Sequence, residues 1–296
     1  MRKGVLYALG SYILWGFLPL YMKALTSAGA LEILAHRVIW SLLLLGFALT
    51  VTRNWVWLGE VMRTPRVVLM FGVTALLLSI NWLTYIWSVV HNYVIDGTLG
   101  YFMTPLVNVL FGVVFLHERL RPGQTMALVL AALGVVYLTT TAGVLPWIGL
   151  TLAFSFSGYA LLRKIADLDS MRGLTLETIF LAAPGLVYLG YLEVGGYGHF
   201  GHGDVRTTLL LAGAGIITAV PLLLFAAGAR RIPLATLGVL QYIAPTIQFV
   251  IAVLLFGEAL TPVRLVGFGF IWLALIIYAF EGFWERQRQA TWQYAG

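Results

Sequence analysis

The residues of this chain that could do chemistry are ionisable and amide side chains within long apolar stretches. Glu32 and His36 stand four positions apart, so a helix would place them on one face, with Arg37 about 100° away. Glu32 and His36 could share a proton, and Arg37 could bind a carboxylate through two parallel hydrogen bonds. The alternative is that this segment lies at the level of lipid headgroups, where Glu32 is solvated and Arg37 reaches water. For Arg37, the deeper of the two, we favour a place in a cavity.

A second set of candidates consists of aromatic and amide side chains at helical spacing. Asn81, Trp82 and Tyr85 would form a stripe whose rings stack on a small molecule while the amide orients it. Aromatic residues at this spacing more often serve packing, but an amide in the middle of an apolar helix needs a partner. The other candidate cavity residues are Trp15, Tyr101, Asn108, Glu177, Gln241, Tyr242 and Gln248.

Metal and enzyme chemistry find little support. His199, His202 and Asp204 have a spacing that a metal could use, but the loop that carries them is rich in glycine and is expected to be solvated. The chain has no cysteine, no His-Glu-x-x-His pair, no Gly-x-Ser-x-Gly turn and no phosphate-binding loop. We therefore predict no metal, no cofactor and no enzymatic activity.

The composition indicates which elements must position these candidates. Hydrophobic residues make up 60% of the chain and charged residues 10%, with a mean hydropathy of +0.92, whereas about 25% of the residues in a soluble domain are charged. The charged residues stand in short groups between long apolar stretches, as expected when only the connections reach water. The net charge of +6 does not form one basic patch, so nucleic acid is not an expected partner. The expected partner is the lipid bilayer.

Ten membrane-spanning helices are predicted from stretches of about 20 apolar residues. With the N-terminus in the cytoplasm, most lysine and arginine residues fall on the cytoplasmic side, and only Lys23, Arg37, Arg206 and Arg264 do not. This distribution predicts a multi-pass membrane protein with both termini in the cytoplasm. The spans are expected near residues 4–22, 31–51, 67–89, 94–115, 123–141, 143–162, 174–192, 208–227, 233–256 and 263–283.

An internal repeat divides the ten spans into two halves. Pro105 and Pro245, 140 residues apart, each precede an amide by three positions, and Glu118 and Glu258 match at the same offset. Both prolines remove a helical hydrogen bond, so kinked helices should open carbonyls towards a central cavity. Five spans per half is an odd number, so the second half would be inserted upside down. We predict an all-α membrane protein of two inverted repeats, residues 1–141 and 142–284, with a cytoplasmic tail at 285–296.

Three stretches give the chain a resemblance to a known family. Residues 32–37 read Glu-Ile-Leu-Ala-His-Arg, residues 79–87 include Asn-Trp-Leu-Thr-Tyr, and residues 99–106 read Leu-Gly-Tyr-Phe-Met-Thr-Pro-Leu. The chain resembles the drug/metabolite transporter superfamily with two EamA domains, and these stretches look like its RarD type. The resemblance implies ten helices, cytoplasmic termini, a place in a bacterial inner membrane, and export or exchange of a small metabolite. RarD-type proteins are commonly labelled chloramphenicol-sensitivity or resistance permeases, a label that does not identify a physiological substrate.

The function expected from these features is that of a secondary carrier. Inverted repeats can offer a central site alternately to either side of the membrane. The solute would be amino-acid-like, or amphipathic and drug-like, and Glu32, His36 or Glu177 could couple its movement to protons. Duplication could also have produced only a stable bundle, and a channel-like facilitator or an intramembrane enzyme are the alternative functions. A homodimer is compatible with the sequence.

Overall fold

The computed structural model describes residues 2–117, 122–142, 145–202, 204–229, 231 and 240–293. In these ranges the chain forms helices joined by turns and short loops. No strand occurs within these ranges, in agreement with the predicted all-α class. The helices are α1 (Arg2–Gly16), α2 (Leu18–Lys23), α3 (Ala30–Val51), α4 (Val56–Met62), α5 (Pro65–Val90), α6 (Val94–Leu116), α7 (Pro122–Ala142), α8 (Trp147–Ile165), α9 (Ser170–Gly195), α10 (Val205–Ala229), α11 (Ile243–Leu254) and α12 (Pro262–Gln293).

Six helical stretches are long and apolar enough to cross a membrane by length and composition: α1 with α2, then α3, α5, α6, α9 and α10. The other predicted spans coincide with α7, α8, α11 and α12, whose described apolar parts are shorter or more polar. Large apolar side chains face outward, and Phe47, Leu69 and Val187 are between 68% and 74% exposed. Such a surface suits lipid and not water.

Local sequence signals explain where several helices begin and end. The carboxylate of Asp169 accepts hydrogen bonds from the backbone N–H groups of Met171 and Arg172, both at 3.0 Å, and so caps the start of α9. Gly196 ends the same helix with φ of +70°, a left-handed conformation that glycine adopts without steric cost. The first predicted span is interrupted at Phe17, between α1 and α2, just before Pro19.

Helices of the two halves pack against each other in matching pairs. The predicted repeat makes helices α8, α9, α10, α11 and α12 the counterparts of α1, α3, α5, α6 and α7, in that order. Under this correspondence, the contact of α6 with α8 has its counterpart in the contact of α11 with α1. In the same way, α5 with α8 is matched by α1 with α10, and α3 with α10 by α5 with α9. The pairs α3 with α9, α6 with α11 and α7 with α12 are their own counterparts. Corresponding helices therefore have corresponding neighbours.

Glycines allow some of these helices to approach closely. A Cβ atom on Gly100 of α6 would lie 2.7 Å from the carbonyl oxygen of Gly149 on α8. A Cβ atom on Gly215 of α10 would lie 2.4 Å from the carbonyl carbon of Trp40 on α3. Both distances are shorter than any van der Waals contact, so these interfaces require residues without side chains, as is common where helices pack within a membrane.

Candidate functional site

A cavity lies where helices of both halves meet. It offers about 80 Å³ to the centres of water-sized molecules, and since roughly 10–15 Å³ of such space holds one water, it can take several waters or a small organic molecule. The lining side chains are Tyr12, Trp15, Leu18, Arg37, Leu78, Asn81, Trp82, Tyr85, Tyr101, Phe156, Thr218, Leu222, Phe225, Gln241, Ala244, Pro245 and Gln248.

Most of the residues predicted to form a cavity are brought together here. Those that line it are Trp15, Arg37, Asn81, Trp82, Tyr85, Tyr101, Gln241, Pro245 and Gln248. Their role in binding a solute stays a prediction. The lining residues that sequence reasoning missed include Tyr12, Thr218 and Phe225. Nothing in the sequence distinguishes Thr218 from the other threonines of apolar helices, because its importance comes from the helix that it faces.

Arg37 is the one charged side chain among the described residues that line the cavity. It is only 4% exposed, so it turns into the protein and does not reach out to headgroups. Its Nε donates a hydrogen bond of 2.9 Å to the hydroxyl of Thr218 on α10, and its guanidinium lies 4.7 Å from the ring of Trp82. Nη1 has no hydrogen-bond partner among the described residues. Part of the guanidinium is thus free to bind a ligand.

Asn81 connects the two halves beside the cavity. Its amide nitrogen donates to the carbonyl of Leu152 at 3.0 Å and to the hydroxyl of Ser155 at 3.1 Å, both on α8. Its amide oxygen accepts a hydrogen bond of 3.3 Å from the hydroxyl of Tyr101 on α6. The amide therefore has the partners that a buried polar group needs, and it positions Tyr101 at the cavity wall.

Gln248 makes the second amide bridge, and a proline explains it. Pro19 has no N–H group, so the carbonyl of Trp15, four residues earlier, lacks its helical donor. The side-chain nitrogen of Gln248 supplies that donor at 2.9 Å, which joins α11 to the break between α1 and α2. The side-chain oxygen of Gln248 has no partner among the described residues. An acceptor atom is thereby left available at the cavity.

Aromatic rings form much of the remaining wall. Tyr12, Trp15 and Phe225 pack together with ring centroids 5.6 to 6.1 Å apart, and Tyr85 packs against Tyr101 at 5.3 Å. The hydroxyls of Tyr12 and Tyr85 are buried and have no partner among the described residues. The cavity thus combines flat apolar surfaces with a few unsatisfied polar atoms, as small-molecule sites do.

Glu32 and His36, which are predicted to share a proton, each have another partner in the structure. Glu32 is 2% exposed, and its carboxylate binds the backbone N–H of His199 at 2.7 Å and the ring Nδ1 of the same residue at 2.8 Å. His36 accepts a hydrogen bond of 3.2 Å from Trp40 and packs against the ring of Phe200. The glycine-rich loop 196–204 is thus anchored on α3. No group of residues that could hold a metal occurs within the described ranges.

Glu177 and the other remaining candidates also lie off the cavity. Glu177 is completely buried, with Arg163 Nη1 at 3.9 Å from its carboxylate and the hydroxyl of Tyr159 at 3.4 Å. Tyr242 packs parallel to Phe102 at 6.5 Å between ring centroids. Neither these residues nor Asn108 and Pro105 line the cavity.

Contacts between the halves close over the N-terminal end of α6. The carboxylate of Glu258 accepts hydrogen bonds from the backbone N–H groups of Val94 and Ile95 at 2.7 and 2.9 Å, and Arg264 binds Asp96 at 2.8 Å. Burial raises the pKa of Glu258 above its ordinary value, although the two N–H donors act in the opposite direction. Glu118, its counterpart in the repeat, lies outside the described residues.

The chain is similar to known proteins over nearly its whole length. A family model described as the EamA-like transporter family matches residues 2–140. Protein RarD of Streptomyces exfoliatus is 44% identical over 95% of this chain and 89% of its own length. Protein RarD of Escherichia coli K12 is 41% identical over 97% of both chains, and the chloramphenicol-sensitive protein RarD of Pseudomonas aeruginosa is 31% identical over 97% of both.

A crystal structure with a similar fold extends this comparison. It superimposes with a TM-score of 0.59 at 19% identity, over 93% of this chain and 96% of the other. This superposition supports the arrangement of the helices alone.

Proposed function

This chain belongs to the EamA-like transporter family, in its RarD group, and on that basis we propose that it is a secondary carrier working by alternating access. The family is one of transporters, and membrane transport is therefore the activity of the chain. The central cavity is the proposed site for the solute. The observation that carries the proposal is a cavity built by helices of both halves around one buried arginine.

The matching helix pairs support a ten-span protein of two inverted repeats. Two halves of five spans that are related by an axis in the membrane plane place corresponding helices next to corresponding partners. The pairing of α6 with α8 and of α11 with α1 follows that rule, as do α5 with α8 and α1 with α10. The cavity lies among these same helices, so movement of one half against the other would change its access.

The contact of Glu258 with α6 is proposed as the gate of one side. It joins a loop of the second half to the first half, and the pair of Arg264 with Asp96 adds a second link there. With both termini in the cytoplasm of a bacterial cell, the Glu258 gate faces outward.

Coupling to protons is proposed through Glu177. Of the three groups named from the sequence, Glu32 is bound to the loop 196–204 and His36 to Trp40. Glu177 is a buried carboxylate whose nearest cation, Arg163, is 3.9 Å away, and an ionisable group inside a membrane commonly marks a proton or solute pathway.

Counterflow in proteoliposomes tests the carrier. We expect uptake of a labelled solute to saturate and to be accelerated by unlabelled solute inside, with a panel of metabolites and chloramphenicol as probes. Unchanged uptake after collapse of the pH gradient would contradict proton coupling. Flux that neither saturates nor responds to solute on the other side would indicate a channel. Chemical conversion of the solute would indicate an enzyme.

A further inference from the structure

We propose that the cavity selects organic monoanions, in which a carboxylate is attached to an aromatic or apolar body, over zwitterions, cations and neutral solutes. This inference rests on the proposed carrier function and specifies its substrate class. It is narrower than the amino-acid-like or drug-like solute expected from the sequence. Arg37 would hold the carboxylate, and the aromatic wall would hold the body.

Among the described residues that contact Arg37 or line the cavity with it, none is a carboxylate that could balance its charge. Glu32 on the same helix binds His199, Glu177 lies with Arg163, and Asp96 binds Arg264. The contacts of Arg37 itself are a hydroxyl and a ring, which carry no negative charge. An uncompensated charge that is 96% buried is costly, and a bound anion would remove that cost.

Two hydrogen-bond donors at the cavity lack a partner among the described residues. Nη1 of Arg37 has no partner among the described residues, and the hydroxyl of Tyr85 is also buried without one. Arg37, Tyr85 and Tyr101 line the same cavity. A guanidinium N–H and a phenol O–H are both donors, and together they can satisfy the oxygens of one carboxylate.

The cavity is unfavourable for a positive group. Among the described residues that line it, none is a carboxylate, so an ammonium group would meet only neutral acceptors such as the oxygen of Gln248. The buried positive charge of Arg37 in the same cavity would also repel it. The oxygen of Gln248 can accept one hydrogen bond from a hydroxyl or amide of the solute. A zwitterion would therefore lose on its amino group what it gains on its carboxylate.

Aromatic rings form the part of the cavity wall that would contact the body of the solute. Tyr12, Trp15 and Phe225 form one ring cluster, and Trp82 lies across the guanidinium of Arg37. Flat rings favour an aromatic or extended apolar body through stacking and exclusion of water. Arg37 would thus bind the charged group of the solute, and the rings would bind its apolar body.

Binding of matched probes to the purified protein tests the inference. The probes share one body and differ in charge: 3-phenylpropionate, its amide, phenylalanine, and 3-phenylpropylamine. We expect calorimetry to give the carboxylate at least about tenfold tighter binding than the amide, since a hydrogen bond to a charged group contributes about 1.5–3 kcal/mol. Arg37→Gln should abolish this preference and leave binding of the amide within about twofold. Arg206→Gln, at the exposed start of α10, is the matched control and should keep the preference.

Two results would overturn the inference: equal binding of the carboxylate and the amide to the wild type, or a folded Arg37→Gln variant that still prefers the carboxylate. If Arg37→Gln does not fold, the wild-type panel and the Thr218→Val variant test the inference. Loss of the Thr218 hydroxyl removes the partner of Arg37 Nε, so the preference for the carboxylate over the amide should change. Carboxylate binding without any counterflow would refute the carrier and keep the anion site. Saturable counterflow of a neutral or cationic solute that carboxylates do not inhibit would refute the anion site and keep the carrier.

Discussion

Arg37 and Glu177 stand 140 residues apart, the offset of the sequence repeat, and their surroundings differ completely. Arg37 faces the cavity with a free guanidinium nitrogen, whereas Glu177 is buried near Arg163 and Tyr159. If the two halves are inverted repeats, a duplication would have supplied two polar positions at similar depth. One is placed to contact a solute, and the other belongs to a separate buried cluster.

Removing Glu177 should destabilise the protein more than removing its whole ion pair. Glu177→Leu leaves the Arg163 guanidinium, which is 14% exposed, without its carboxylate, and we expect a loss of about 3 kcal/mol in the free energy of unfolding. Adding Arg163→Leu should recover most of that loss. Thermal unfolding of both variants in detergent measures it. A double variant as unstable as the single one would show that the two groups do not interact.

At the scale of elements, close helix packing is the feature most easily tested. Gly100→Ala places a Cβ against the backbone of Gly149, so α6 and α8 must separate, and the unfolding temperature should fall by several degrees. Gly72→Ala is the control, because its new Cβ would have no atom within 4 Å beyond its chain neighbours and the backbone of its own helix. Alanine in a helix is favoured over glycine by up to about 1 kcal/mol, so this variant should be as stable as the wild type or more stable. Equal destabilisation of the two variants would contradict the packing.

The contact of Glu258 with the start of α6 predicts a change in access. Glu258→Ala removes two hydrogen bonds between the halves, so the cavity should open more often on that side. The chain has no cysteine, and Ala244→Cys therefore provides a unique reporter on the cavity wall. A membrane-impermeant maleimide added outside cells should label it severalfold faster in the Glu258→Ala background. Glu193→Ala, at an exposed glutamate elsewhere, should leave the rate unchanged. Equal rates in all three backgrounds would exclude a gate at Glu258.

For the molecule as a whole, the distribution of basic residues predicts which loops face outward. His202→Cys lies in the loop 196–204, and Asp167→Cys lies between α8 and α9. In intact cells an impermeant maleimide should label His202→Cys, and it should reach Asp167→Cys only after permeabilisation. The reversed pattern would place both termini outside and would turn the Glu258 gate inward.

Features that depend on a short stretch of sequence can be predicted from the sequence, whereas features that depend on contacts between distant residues cannot. The apolar runs are local, so the all-α membrane class and the helix positions, such as α3 at 30–51 for the predicted 31–51, follow from composition alone. The resemblance to EamA carriers of the RarD type, which rests on short stretches of sequence, is confirmed by relatives that match nearly the whole chain.

The side chains that share the cavity were decided by tertiary structure. Helical spacing places residues on a face, but the rotation of each helix against its neighbours selects which face turns inward. Arg37 therefore meets Thr218, 181 residues away, while Glu32, five positions before it, turns to His199 in the loop 196–204. The break before Pro19, which could be read from the sequence, acquires its partner Gln248 only when α11 packs there. Local chemistry determined the helices, and long-range packing determined the site.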